Sequence, residues 1–182
     1  MLPRTTEAIY EELLVLRCRR GERAALEEMV RTWEKRLFYF IRRLVDTEQD
    51  AWDVLQQSWV RVLAGIGKLR DPTALRPWLY RIARNTAFNH GQVRATYRRF
   101  LDDYPAPPAD VDSGQDDFNN ADQVHHGLAQ LALPFREVLT LFFLEDFSID
   151  AIAEILGVPP GTVKSRLYHA RQALRAVLGK EE

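Results

Sequence analysis

Apolar residues recur along most of this chain at the three- and four-residue steps of a helix, and no run alternates as a strand would. Residues 7–19 place Ile9, Leu13, Leu16 and Arg17 at helical spacing. Residues 24–45 carry a broad stripe of Leu26, Met29, Val30, Trp33, Leu37, Phe40, Ile41 and Leu44. Residues 50–66 put Trp52, Leu55, Trp59, Val62 and Ile66 on one side, and residues 75–89 predict a fourth helix with Pro77 tolerated in its first turn. The most informative stretch runs from Ser148 to Arg175. It predicts two helices joined at Gly157, a residue suited to a left-handed helix end, with Pro159 and Pro160 suited to the start of the second helix or Thr162 to its cap. In that second helix Val163, Leu167, Ala170, Leu174 and Leu178 share an inward face. Lys164, Tyr168, Arg171 and Arg175 repeat the rhythm one residue later and point elsewhere. A short helix, a glycine turn and a basic helix make a helix-turn-helix, whose second helix enters the DNA major groove.

One segment breaks the pattern. Residues 101–123 hold seven Asp, three Pro and no basic residue, a composition that cannot bury enough apolar surface to offset its ordering entropy. The predicted architecture is therefore all-α, with two small helical domains, 1–100 and 124–182, joined by a flexible acidic linker, 101–123.

Charge sharpens this division. The net charge of −1 over 182 residues argues against a nucleic-acid binder only until it is counted by segment. Residues 1–100 hold nineteen Lys and Arg against twelve Asp and Glu, and residues 159–180 hold five cations and no acid. Two basic surfaces flank an acidic tether, and basic surfaces supply the phosphate attraction behind non-specific DNA binding. The lone cysteine, Cys18, excludes an intramolecular disulfide and a cysteine zinc cluster. It reads as a small buried residue, although Arg17, Arg19 and Arg20 beside it favour a lowered thiol pKa. His125 and His126 lack further ligands for a metal. No apolar run approaches the ~20 residues that span a bilayer, and the first residues mix charges too early for a signal peptide, which suggests the cytoplasm. No Ser-His-Asp order, glycine-rich phosphate loop or metal-ligand cluster points to catalysis, so neither an enzyme nor a cofactor is expected.

Two blocks of sequence resemble one known family. DAWDVLQQSWVRVL with RPWLYRIARNTAFN, and then LALPFREVLTLFFLEDFSIDAIAEILGVPPGTVKSRLYHARQAL, are similar in order and spacing to the two domains of bacterial RNA polymerase sigma factors of the extracytoplasmic-function (ECF) type. The resemblance implies a sigma region 2-like domain over 1–100, for the polymerase clamp and the −10 element, and a region 4-like helix-turn-helix over 124–182, for the −35 element. The family's D-x-x-Q-E motif, which meets core RNA polymerase, stands here as Asp53, Gln56 and Gln57, with Gln57 where relatives usually carry Glu. The −10 strand-capture positions correspond to Arg81, Arg84, Asn85 and Asn89 in the fourth helix. Asn85 matches the position near a flipped base, and its amide both donates and accepts at base edges. The preceding loop, residues 68–74, corresponds to the region that shapes the base pocket, while Trp78 and Tyr80 read as packing residues.

The −35 positions correspond to Lys164, Ser165, Tyr168, His169 and Arg171, with Arg166 and Arg175 holding the backbone; His169 stands where relatives often carry Arg. The implied partners are core RNA polymerase, promoter DNA and an anti-sigma protein. The implied linker either threads a basic tunnel of the polymerase or serves as a solubilising tether. Two other functions stay open on the sequence: a sigma-like decoy that sequesters an anti-sigma protein, and a helix-turn-helix regulator that works without polymerase.

Overall fold

Every long apolar stripe becomes a helix in the computed structural model of the chain, which describes residues 6–90, 93–103 and 127–179. Among the described residues there is no strand. Contacts divide the chain into two units, residues 1–90 and 91–182.

The first unit holds four helices: α1 (Thr6–Arg19), α2 (Arg23–Arg42), α3 (Glu48–Gly65) and α4 (Leu75–Asn89). The stripe of α2 drives its assembly. Ala25, Met29, Trp33, Leu37, Phe40 and Ile41 are all buried, and α2 packs against both α3 and α4. Phe40 meets Tyr80 of α4 with ring centroids 5.1 Å apart, and Tyr80 is itself fully buried. Gly65 ends α3 where a Cβ would come within 3.0 Å of the Trp78 ring. Tyr80 therefore packs as expected, and Trp78 lies half-buried against the end of α3.

Two stripes face differently from their simplest reading. Ile9, Leu13 and Leu16 of α1 are exposed, while Leu14, Val15 and Cys18 are buried. The helical period is right but the opposite flank goes inward. Trp52 likewise does not join Leu55, Trp59 and Val62; it is 41% exposed and lies against Phe38, centroids 4.2 Å apart. Burial raises the Cys18 thiol pKa, and this outweighs the lowering by Arg17. An inert core thiol is the result, not an activated one.

The start of α3 is a capping arrangement. Thr47 Oγ1 accepts from the Asp50 backbone N–H at 3.0 Å and donates to Asp50 Oδ2 at 2.6 Å. Asp50 Oδ1 lies 3.0 Å from His90 Nε2, just past the end of α4, so one carboxylate ties the start of one helix to the end of another.

The second unit contains α5 (Val93–Asp103), a helical turn at 127–130, α6 (Leu133–Leu139) running into a π turn (Thr140–Leu144), α7 (Ile149–Leu156) and α8 (Pro160–Leu178). Ser148 caps α7 by accepting from the Ala151 backbone N–H at 3.2 Å, and Gly157 ends it in the left-handed region at φ 65. Pro160 opens α8 with Pro159 before it, and Thr162 makes no side-chain cap. Val163, Leu167, Ala170 and Leu174 are buried as their spacing predicts, and Leu178 is half-buried. α8 packs on both α6 and α7. Gly127 permits a close approach there, since a Cβ on it would lie 2.7 Å from Leu174 Cδ1.

The boundary between units departs from the sequence reading of 1–100, 101–123 and 124–182. α5 groups with the second unit, placing the division after His90, and residues 101–103 are the end of α5 and not linker. The cause is aromatic. Phe100 meets Phe135 of α6 edge-on, centroids 4.9 Å apart, and Tyr97 is buried. The rest of the acidic segment, with His125 and His126, lies outside the described residues.

Two outcomes follow from these local arrangements. Gly157→Ala forces a Cβ into the left-handed region and is expected to cost about 1 kcal/mol in chemical denaturation. For Asp50, the Thr47 hydroxyl bond and then His90 hold the carboxyl below its usual range. Its folded pKa is therefore lower than its unfolded one, so its stabilisation is present above the unfolded range and lost as pH falls through the folded value. Asp50→Asn is expected to be less stable than the parent near neutral pH and to converge with it in acid, measured by urea midpoints across pH.

Candidate nucleic-acid and partner interfaces

In α8, burial of Val163, Leu167, Ala170 and Leu174 fixes the rotation of the helix about its axis. The remaining side chains then have assigned directions. Lys164 and Arg175 are exposed and Tyr168 is half-exposed, all on one flank. His169 is half-buried and its ring meets Tyr168 edge-on, centroids 5.3 Å apart. Three other expected DNA-facing residues are held by the protein. Ser165 is only 8% exposed. Arg166 donates to the Tyr97 hydroxyl of α5 and lies over its ring, 5.5 Å from the centroid. Arg171 is 7% exposed, its guanidinium 5.4 Å from the ring centroids of both Phe142 and Phe143 in the π turn. Arg171 thus does not sit in the outward row with Lys164 and Tyr168. It has the right period, but its guanidinium lies within the unit, over the two rings.

In α4, Arg81, Asn85 and Asn89 stand at steps of four and form one line along the helix. Asn85 and Asn89 are exposed and Arg81 half-exposed. Arg84 leaves this line: it is 9% exposed and its guanidinium lies over the Phe88 ring, 4.1 Å from the centroid. The loop before α4 is shaped by buried Leu69 and by Asp71, whose carboxylate accepts from the Thr73 backbone N–H at 2.9 Å and from its hydroxyl at 2.7 Å. Lys68 and Arg70 remain exposed beside it.

In α3, Gln56 and Gln57 are exposed, and half-exposed Asp53 accepts from Gln49 at 3.3 Å. The sequence reading missed their neighbours. Trp52, Gln56, Val60 and Leu63 follow at steps of four, four and three, so they share this face, and Val60 and Leu63 are 68% and 46% exposed. The signal was present as a second apolar stripe on α3. Polar groups interleaved with large exposed apolar side chains on one helix face mark a protein-binding surface.

Comparison with known proteins decides what these faces belong to. Residues 29–99 match sigma-70 region 2 and residues 121–174 match sigma-70 region 4. RNA polymerase sigma-H factor of Pseudomonas aeruginosa is 32% identical over 182 residues, covering 92% of this chain and 93% of that protein. The chain belongs to the sigma-70 family of RNA polymerase sigma factors, in its ECF group. The ECF RNA polymerase sigma-E factor of Haemophilus influenzae is 29% identical, with 92% and 95% covered. The fold is also that of CnrH, solved in complex with the cytosolic domain of CnrY, at TM-score 0.67 and 24% identity, covering 94% of this chain and 99% of CnrH. RpoE of Bartonella quintana, solved in complex with the anti-sigma factor NepR, aligns at TM-score 0.63 and 24% identity, with 86% and 98% covered.

The region 2 match runs through most of α5, yet in this sigma factor α5 packs with the second unit. Neither the decoy nor the polymerase-independent regulator is favoured by these relatives. No described helix is long and apolar enough to cross a membrane, and among the described residues no group of three or more His, Cys, Asp or Glu is placed to hold a metal.

The geometry separates residues that hold the second unit together from residues that face out. Tyr97→Phe removes the Arg166 bond and is expected to cost about 1 kcal/mol in urea denaturation. Lys164→Ala is expected to stay within about 0.5 kcal/mol of the parent.

Proposed function

We propose that this sigma factor docks on core RNA polymerase through the outer face of α3, holds the melted −10 strand along α4 and reads −35 duplex with α8. The observation that carries the reading is the outward row of α8, where Lys164, Tyr168 and Arg175 are left to the surface by burial of the opposite stripe. A helix presenting a cation and an aromatic in line, with the turn of a helix-turn-helix before it, suits the major groove. His169 and Ser165 lie beside that row, and Arg175 suits a backbone phosphate.

On α4, the Arg81–Asn85–Asn89 line supplies a cation and two amides along one track, which suits a single strand whose bases are turned out of the duplex. Arg84 lies over the Phe88 ring of the same helix, off that track. On α3, Asp53, Gln56 and Gln57 supply polar contacts to the polymerase, and Trp52, Val60 and Leu63 supply the apolar ones. Gln57 is neutral where a carboxylate would make a charge-assisted bond, so Gln57→Glu is expected to tighten the complex.

The chemistry of RNA synthesis belongs to the polymerase, and this chain contributes binding energy that selects the promoter and stabilises the open strand. An anti-sigma protein is proposed as the further partner, since RpoE of Bartonella quintana, which shares the fold, is bound to one.

The test is reconstitution. Full-length chain mixed with core polymerase is expected to co-migrate as one complex and to direct transcription from defined start sites in a random promoter library. Asn85→Ala is expected to reduce open-complex yield with the complex itself intact. A chain that binds no core polymerase, or starts transcription nowhere, contradicts the reading.

A further inference from the structure

We propose that Arg171 is a positioning residue for −35 recognition: held against the rings of Phe142 and Phe143, it sets the pose of α8 so that Lys164 and Tyr168 meet the bases. The proposal rests on the reading of α8 as the −35 helix. Arg171 lies seven residues after Lys164, three after Tyr168 and four before Arg175, on the same flank of the helix. Its neighbours on that flank face out, yet Arg171 is 7% exposed.

Its guanidinium is equidistant from two rings, 5.4 Å from each centroid, and the rings meet edge-on with centroids 5.0 Å apart. Consecutive residues of a regular α-helix point about 100° apart. The widened π turn over Thr140–Leu144 departs from that geometry, and both phenylalanines flank one cation. The clamp therefore joins the reading helix to the end of α6 at the edge of the DNA-facing row. Apolar burial of Val163, Leu167 and Ala170 fixes rotation of α8; the clamp constrains how that flank leans against α6.

A flat, weakly hydrated guanidinium set against two nearly perpendicular rings is an arrangement that a compact, strongly hydrated ammonium reproduces poorly. A residue acting in this way changes discrimination among sequences without neutralising a phosphate. A cation bound directly to a phosphate would instead appear in the salt dependence, whose slope falls by about one when that cation is removed.

The experiment uses holoenzyme assembled from the full chain and core polymerase. Wild-type holoenzyme first selects its preferred −35 duplex from a randomised library. Affinity for promoters carrying that duplex or a scrambled one is then measured over a salt series for Arg171→Met, Arg171→Lys and Phe142→Leu, with Lys164→Ala as the direct-contact control. All three clamp variants are expected to keep the wild-type salt slope and to fall about tenfold in preferred-over-scrambled binding, on the scale of one base contact. Arg171→Lys is expected to fail as a rescue despite keeping the charge.

A slope reduced by about one in Arg171→Met but unchanged in Phe142→Leu would make Arg171 a direct DNA contact and overturn the proposal. An unchanged preference ratio in the folded variants, with only a lower melting temperature, would reduce the clamp to a stability element and overturn it equally. Should Arg171→Met fail to fold, Arg171→Lys and Phe142→Leu decide. A wild-type holoenzyme that selects no −35 duplex is a different failure: it removes the −35 reading itself, and the proposal with it.

Discussion

Burial of four side chains, Val163, Leu167, Ala170 and Leu174, sets the meaning of every other residue in α8. A fully buried Val or Leu is worth about 1.5–3 kcal/mol relative to exposure, so the helix has one rotation about its axis and no competitive alternative. From that constraint Lys164 and Arg175 emerge at the surface and Arg166 turns towards Tyr97. The same logic runs through the first unit. The stripe of α2 takes one flank each of α3 and α4, and what remains outside is the Trp52–Leu63 face on one and the Arg81–Asn89 line on the other. The faces proposed to act are those that the cores leave over.

Aromatic rings decide where the arginines go. Arg84 over Phe88, Arg166 over Tyr97 and Arg171 over Phe142 and Phe143 are three cations that the family resemblance assigns to DNA and that lie over rings of the protein itself. Guanidinium is weakly hydrated and flat, and it lies on a ring face with its charge still available to hydrogen-bond partners. Lys164 and Arg175 stay at the surface, whereas Arg166 and Arg171 lie over rings. In this chain the basic count exceeds the number of cations left at the surface, and the rings nearby indicate which cations lie against the protein.

Much of this was legible in the sequence. Helix positions, the all-α class, the left-handed turn at Gly157, the inward face of α8 and the two-part organisation all follow from apolar period and turn chemistry, because those signals are local. Gln56 and Gln57 are exposed and Asp53 half-exposed, but Trp52, read as part of the inward stripe, shares their face. What escaped depends on partners distant in sequence. The flank of α1 that goes inward is decided by the elements it packs against, and its period fits either flank. Trp52 is apolar, and Phe38 gives it a neighbour at the surface. The packing of α5 with the second unit rests on Phe100 and Phe135, thirty-five residues apart, and Arg171 is turned inward by rings that a π turn presents. Of these, only Trp52 leaves a mark in the local pattern, as part of the second apolar stripe of α3.

The central claim, that the outward row of α8 meets promoter duplex while the chain is on the polymerase, is tested most directly by proximity. Cys18 is buried with a raised thiol pKa, so a cleavage reagent attached through Lys164→Cys reacts at one place only. In the assembled holoenzyme it is expected to cut promoter DNA in a narrow window at the −35 element, on both sides of one major groove. Cleavage scattered along the duplex, or none above the level of unmodified holoenzyme, would contradict the account.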